Sequence, residues 1–199
     1  MTTATNALSN PLSKQLKSLT QQTHDRLDKS IMSAASFATI ELYGRFVQIQ
    51  YLFHRDIDAL YDDARLQALL PGLAERRRSR LITADLGDLG LALPEDSAPL
   101  AFAPGTTTDL PTALGWLYVA EGSNMGAALL RKEAAKLGLS DDHGARHLAP
   151  ASEGPAAHWR SFTAALDAVD LTTEEEARAV AGAEAAFARV QGLVDARLG

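Results

Sequence analysis

The chain has 199 residues, of which 46% are hydrophobic and 22% charged, and its net charge is −6 at pH 7. This composition is typical of globular proteins, and it excludes a disordered chain, a collagen-like chain and a coiled-coil rod. Cysteine is absent, which excludes disulfides, thiolate nucleophiles and iron–sulfur clusters. There is no basic excess for nucleic-acid binding, no signal-peptide pattern and no apolar run near the ~20 residues that span a bilayer. We therefore expect a cytoplasmic protein that binds neither nucleic acid nor membranes.

Apolar residues recur at helical spacing along most of the chain, whereas strand signals are weak. In chain order, the pattern predicts helices over 11–30, 39–62, 72–86, 111–137, 155–169 and 173–198. Two stretches that contain glycine and proline, 87–110 and 138–154, are the predicted long connections. We expect one all-α domain over residues 11–199, preceded by a flexible N-terminus of residues 1–10.

Two of the predicted helices begin with clear capping signals. Asp109 precedes Pro111, which suits the first turn of the fourth helix. Thr172 or Thr173, followed by glutamates, suits the start of the last helix.

The fourth predicted helix reads TALGWLYVAEGSNMGAALL and is apolar nearly all round, which indicates a central buried helix. It carries Gly115, Gly122 and Gly126, although an interior glycine costs up to about 1 kcal/mol relative to alanine. At about 100° per residue the three form one bare stripe, flanked by Tyr118 and Ser123. Either another helix packs closely there, or a flat ligand lies against the backbone of a kinked helix.

The first predicted helix offers a possible metal ligand. His24 has Asp28 four residues later, and a carboxylate at that spacing can orient the ring. Lys17 lies on the same face, roughly 10 Å away, a span similar to that between a haem iron and its propionates. A lone histidine on a helix is more often an ordinary surface or core residue, so both interpretations stay open here.

Common catalytic motifs are missing from the sequence. It has no P-loop, no dinucleotide fingerprint and no G-x-S-x-G elbow, and no Glu-x-x-His pair of the kind that holds di-iron centres. His143 and His147 could bind zinc, but a hydrogen-bonded loop pair is the favoured interpretation.

Four segments, LTQQTHDRLD, FVQIQYLF, LGWLYVAEGSNMGAALL and GARHLA, resemble the bacterial haem oxygenases in collinear order, from about residue 12 to about residue 195. The resemblance implies an all-α domain with haem between a proximal helix and a kinked distal helix. It also implies the reaction. Haem (heme b, iron protoporphyrin IX) serves as cofactor and substrate, and O₂ with reducing equivalents cleaves it to biliverdin, Fe²⁺ and CO.

The resemblance assigns roles to residues of both helices. His24 matches the axial iron ligand, and Asp28 stands where a glutamate is usual, so we expect a longer or water-mediated contact to the ring. Gly122 and Gly126 match the distal glycines, with Ser123 between them.

Further positions match residues that act around the haem. Lys17, Tyr118 and Arg160 match positions that hold the propionates in well-studied members. Gln50 and Arg78 resemble positions in the distal hydrogen-bond network, although Arg78 also fits a solvated basic face. Members that cleave haem at the β or δ meso carbon lack the lysine and tyrosine, whereas this sequence has both. We therefore predict biliverdin IXα as the product.

Electrons must come from outside, because the chain has no flavin or nicotinamide motif. The resemblance implies a ferredoxin or a flavoprotein reductase as the donor. An arginine run could dock an acidic donor or could simply be a solvated helix face; it comprises Arg76, Arg77, Arg78 and Arg80.

Two other functions are compatible with such a fold. One is a haem-binding carrier or sensor that does not degrade its ligand, and turnover would separate it from an enzyme. The other is a helical hydrolase of thiamine-like substrates, which would need a cysteine nucleophile that this chain lacks.

Overall fold

The computed structural model describes residues 10–33 and 36–199, and these residues form seven α-helices and three short 3₁₀ helices. The helices are α1 (Leu12–Ser33), α2 (Ile40–Ile57), α3 (Ala64–Leu69), α4 (Ser79–Asp88), α5 (Leu110–Lys136), α6 (Pro155–Asp167) and α7 (Thr173–Leu198). The all-α prediction is confirmed. The predicted flexible N-terminus lies outside the described residues, apart from Asn10. Within the described part, no helix is both long and apolar enough to cross a membrane.

Both predicted helix starts are confirmed by their side-chain caps. The Asp109 carboxylate accepts a hydrogen bond from the backbone N–H of Thr112, with Pro111 in the first turn of α5. Thr172 and Glu175 form a complete capping box at the start of α7. Because these caps satisfy backbone donors that have no partner inside the helix, they fix where the chain enters α5 and α7.

The prediction of a third helix over 72–86 is wrong, because the helix in this region, α4, begins only at Ser79. Gly72 adopts a left-handed backbone conformation, with φ at 78°, and a 3₁₀ turn over Ala74–Arg76 precedes α4. The predicted helix over 39–62 is also too long, since α2 ends at Ile57 and a 3₁₀ turn continues to Asp62. Periodicity counts apolar spacing, and it did not detect that the chain changes direction where glycine permits a positive φ.

Helix α5 lies at the centre of the fold and packs mainly against α7, with further contacts to α6. In its first half, Ala113, Leu114 and Leu117 are fully buried. The Trp116 ring stacks on Phe53 of α2, with centroids 5.8 Å apart and planes 12° apart. This half of α5 is therefore part of the main hydrophobic core.

Helices α5 and α7 approach each other at backbone distance. A Cβ placed on Gly115 would lie 2.0 Å from the carbonyl oxygen of Ala179, and one on Gly182 would lie 2.3 Å from that of Thr112. No side chain fits into either gap. For Gly115, close helix packing is therefore the correct interpretation of the glycine stripe.

The loop that carries GARHLA is tied to α4 by a buried carboxylate. Asp85 accepts hydrogen bonds from the backbone N–H groups of Arg146 and His147, and its Oδ2 lies 2.7 Å from Nδ1 of His147. Burial disfavours the charged carboxylate, but these hydrogen bonds outweigh it and lower the pKa of Asp85. His143 lies instead against Asp88, at 3.6 Å. The two histidines thus contact different carboxylates, as expected for a loop pair.

Candidate active site

His24 projects from α1 as a half-exposed side chain with one ring nitrogen engaged. Its Nδ1 lies 3.4 Å from Oδ2 of Asp28, which is longer than an ordinary N–H···O hydrogen bond and matches the expected long contact. The ring edge packs against Phe187 of α7, with centroids 5.9 Å apart. Among the described residues Nε2 has no partner, so it is available to a metal.

Lys17 lies two helical turns before His24, on the same face of α1. It is exposed, and the described part of the chain gives it no ion-pair partner. Arg160, on α6, is likewise exposed and makes no ion pair with the described residues. Both cations are therefore free to bind an anionic ligand.

The second half of α5 presents bare backbone. A Cβ on Gly126 would meet no atom within 4 Å, and one on Gly122 would meet only Trp159, at 3.7 Å. Met125 and Leu129 are large exposed apolar residues on the same side of the helix. Unlike Gly115, these two glycines are not explained by helix packing, and an apolar surface of this kind suits a flat hydrophobic ligand.

Tyr118 and Ser123 border this surface. Tyr118 is buried, its ring lies 5.4 Å from that of Trp159, and burial raises the pKa of its hydroxyl. The hydroxyl therefore stays a hydrogen-bond donor. Ser123 is exposed, and its hydroxyl donates to the carbonyl of Ala120 at 2.7 Å.

Helices α1 and α5 both pack against α6 and α7. His24 contacts Phe187 of α7, while Gly122 lies next to Trp159 of α6. The predicted ligand-facing surfaces of α1 and α5 are therefore connected through the same pair of helices, α6 and α7.

Arg78 does not belong to a solvated face, which corrects one of the two interpretations given above. It is half-buried, and its Nη1 donates to the backbone carbonyls of His147 and Ala149. Burial lowers the pKa of its guanidinium. Gln50, the other predicted distal residue, is half-buried on α2.

The rest of the arginine run is also divided between interior and surface. Arg76 is buried and donates to Glu121 at 2.7 Å, while Arg77 pairs with Asp62. Of the four arginines, only Arg80 is exposed. Neither a continuous solvated face nor an exposed arginine docking patch exists here, because the chain turns at Ala74–Arg76 instead of continuing as a helix.

Sequence reasoning missed a set of buried polar atoms near Arg78. His54 Nδ1, Tyr61 Oη and His147 Nε2 are buried without a hydrogen-bond partner in the described structure. Burial, together with the nearby His147 and Arg78, lowers the pKa of His54 to about 3, so this ring is neutral. The spacing of Gln50 and His54, four residues apart on α2, is the signal that could have found it.

A helical histidine with a free ring nitrogen can bind a metal, bare helix backbone leaves room for a flat ligand, and free cations attract anionic groups. Together these features suit a flat, anionic metal complex such as haem. The comparisons agree. The sequence profile described as heme oxygenase matches residues 99–196. Heme oxygenase PigA of Pseudomonas aeruginosa is 44% identical over 183 residues, which are 92% of this chain and 91% of that protein.

A heme oxygenase of Xanthomonas campestris is 33% identical over 117 residues, 59% of this chain and 67% of that one. Among solved structures, the heme oxygenase from Neisseria meningitidis, determined with NO and CO bound, superposes with a TM-score of 0.88 at 40% identity, covering 96% of this chain and 94% of that chain. The chain belongs to the haem oxygenase family. It is an enzyme that degrades haem, and haem is both its substrate and its cofactor.

Proposed function

We propose that haem binds between α1 and the second half of α5, with Nε2 of His24 as the axial ligand of the iron. The observation that carries this proposal is the open backbone surface at Gly122 and Gly126, on a helix whose other half is closely packed. When bound, haem supplies the iron at which O₂ is reduced and the porphyrin that is opened to biliverdin, with release of Fe²⁺ and CO.

On the proximal side, Asp28 orients the ring of His24. A carboxylate near Nδ1 selects the tautomer with its proton on Nδ1 and presents the lone pair of Nε2. The 3.4 Å separation leaves room for either a weak direct contact or a bridging water. The ring is further held by its edge contact with Phe187.

On the distal side, the two glycines contribute by having no side chains. Without side chains, Gly122 and Gly126 leave room for O₂ and ordered water directly beside the backbone of α5. Ser123 lies between them with an exposed side chain. Because its hydroxyl proton is already donated to the carbonyl of Ala120, it contacts the ligand without donating a hydrogen bond to it. The position of this helix then decides which meso edge of the porphyrin is attacked.

Three residues set the in-plane rotation of the substrate in this proposal. Lys17 and Arg160 pair with the propionates, since both are exposed cations without protein partners in the described structure. Tyr118 donates a hydrogen bond from its hydroxyl to the same groups, and its raised pKa means that the hydroxyl keeps its proton. This orientation favours the α meso carbon and biliverdin IXα.

Gln50 and Arg78 take part in a distal hydrogen-bond network together with His54 and Tyr61. The unpartnered buried atoms of His54 and Tyr61 indicate bound water, because buried polar groups rarely stay unsatisfied. The charge of Arg78 contributes to the pKa shifts of both residues, which supports its place in this network. Such waters deliver protons without an acidic side chain at the iron.

The enzyme depends on an external reductant. We propose that a ferredoxin or a flavoprotein reductase supplies the electrons in the cytoplasm, and that residues 11–199 act as one domain. The inward-facing Arg76 and Arg78 are not part of the docking surface for this donor.

An absorption time course tests the proposal. The protein is mixed with one equivalent of hemin, then with ascorbate in air, an iron chelator and catalase, which removes free peroxide. We expect the Soret band to be replaced by a bilin spectrum. A stable Soret band, even with a ferredoxin–reductase system added, would instead indicate a carrier, and the absence of any complex would refute the site.

A further inference from the structure

A buried ion pair lies immediately before the first distal glycine. Glu121 is 2% exposed and Arg76 is 8% exposed, and Nη1 of Arg76 donates to Oε2 of Glu121 at 2.7 Å. Nη2 of the same arginine donates to the hydroxyl of Ser161 at 2.7 Å and to the carbonyl of His158 at 3.2 Å. One guanidinium therefore joins α5, α6 and the turn before α4.

A histidine of α6 completes the cluster. Nε2 of His158 lies 3.4 Å from the same Glu121 oxygen, and its Nδ1 lies 2.7 Å from Glu153. The Glu121 carboxylate, followed by that of Glu153, raises the pKa of this ring. Glu121 is thus held from two sides, by Arg76 and by His158.

Beyond Gly126, α5 is anchored again, because Leu130 packs against a second buried apolar cluster and Arg131 pairs with Asp141. After Glu121, the buried residues of α5 are Ala127 and Ala134, whose methyl groups offer small contacts without direction. Charge-assisted hydrogen bonds are directional as well as strong. In the described structure, Glu121 is therefore the last directional anchor of α5 before Gly122 and Gly126.

We propose that Glu121 is a positioning residue for the regiospecificity of haem cleavage. Held by Arg76 and His158, it sets the rotation of the second half of α5, and hence the place of Gly122 and Gly126 over the porphyrin edge. The inference rests on the proposed haem site. It assigns to the ion pair a function other than stability, which buried ion pairs seldom improve over apolar residues of similar size.

Two variants separate positioning from stability. Glu121→Gln keeps the shape but removes the charge. The double variant Glu121→Leu/Arg76→Met replaces the pair with apolar side chains and leaves neither partner as a buried unpaired charge, so its stability should stay close to wild type. The matched control is Asp56→Asn. Asp56 is an equally buried carboxylate of α2 that accepts a hydrogen bond from Arg189 at 2.7 Å.

The readouts are the ratio of biliverdin isomers, the C–O stretching band of the ferrous CO complex, and urea unfolding of the haem-free protein. We expect both Glu121 variants to change the ratio of major to minor isomer by about tenfold and to shift or broaden the C–O band. Asp56→Asn should lose stability and leave the ratio and the band unchanged.

Wild-type isomer ratios and C–O bands in both Glu121 variants would overturn the inference, even if their stability fell. If Glu121→Gln does not fold, the double variant decides. A wild-type protein that binds hemin and CO but forms no biliverdin would contradict the proposed function, and the C–O band would then test the positioning role on its own.

Discussion

The two halves of α5 differ in what lies against their glycines. In the first half, the backbone at Gly115 touches that of α7, and a methyl group there would overlap the carbonyl of Ala179. In the second half, a methyl group on Gly126 would meet nothing within 4 Å. Because all three glycines share one stripe on the helix, their spacing alone does not reveal the difference. The first half uses glycine to pack, and the second uses it to leave a surface free.

The difference extends to the residues around the glycines. Leu114 and Leu117 of the first half are fully buried, whereas Met125 and Leu129 of the second half are exposed. Glu121 lies at the junction. The first half therefore contributes mainly to the free energy of folding, and the second half is available for ligand binding.

The largest expected effect is the loss of turnover in His24→Ala, which removes the proposed axial ligand of the iron. We expect biliverdin formation to fall at least about 100-fold. Unfolding in urea should be nearly unchanged, because the His24 side chain is 51% exposed. His143→Ala is the matched control, since that side chain is 59% exposed and should leave turnover intact. Full activity of His24→Ala would refute the axial-ligand assignment.

The same substitution in each half of α5 tests the comparison by stability. Gly115→Ala should lower the free energy of unfolding by about 3 kcal/mol or more, because backbone atoms of α7 cannot move aside easily. Gly126→Ala should raise it by up to about 1 kcal/mol, because alanine has the higher helix propensity. Urea unfolding of the haem-free proteins gives both values. Equal losses in the two variants would contradict the division of the helix.

Lowering the pH should lower the free energy of unfolding because of His54. This ring is held neutral, with its pKa lowered from 6.5 to about 3 by burial and by the nearby His147 and Arg78. Below its ordinary pKa the unfolded chain binds the proton and the folded chain does not, so stability falls as the pH falls. From the ordinary pKa down to about pH 5, the loss should be about 2 kcal/mol. Unfolding titrations of His54→Gln should lack this loss, whereas those of His143→Gln should keep it.

A smaller effect is expected from the residues proposed to orient the substrate. Replacing both Lys17 and Tyr118, as Lys17→Ala with Tyr118→Phe, should change the ratio of biliverdin isomers by about tenfold, or about 1.4 kcal/mol between competing barriers. The isomers are separated by chromatography after single turnover. An unchanged ratio with a single α product would refute the role of this pair.

Local signals predicted much of the fold. The caps at Asp109 and Thr172 placed the starts of α5 and α7, because the hydrogen bonds of a cap lie within a few residues of the chain. Signals of that range could not reveal that Gly115 packs against α7, because Gly182 and Ala179 come more than sixty residues later.

The candidate site could also be predicted only in part from the sequence. Sequence resemblance proposed roles for His24, the distal glycines and Arg78, but no local signal showed that Arg76 and Arg78 point inward. Their carboxylate and carbonyl partners, Glu121 and His147, lie on other elements of the chain. Burial of these polar groups depends on the complete tertiary structure, and residue type alone suggested a solvated face.

The most direct test of the division of α5 is the haem reaction of Gly126→Ala, followed by absorption under ascorbate and air beside the wild-type protein. The account predicts a folded protein, at least as stable as wild type, that binds hemin but forms biliverdin at least about tenfold more slowly, because the added methyl group occupies space kept for O₂ and water. Biliverdin formation at the wild-type rate and with the wild-type isomer ratio would show that the open half of α5 does not face the substrate.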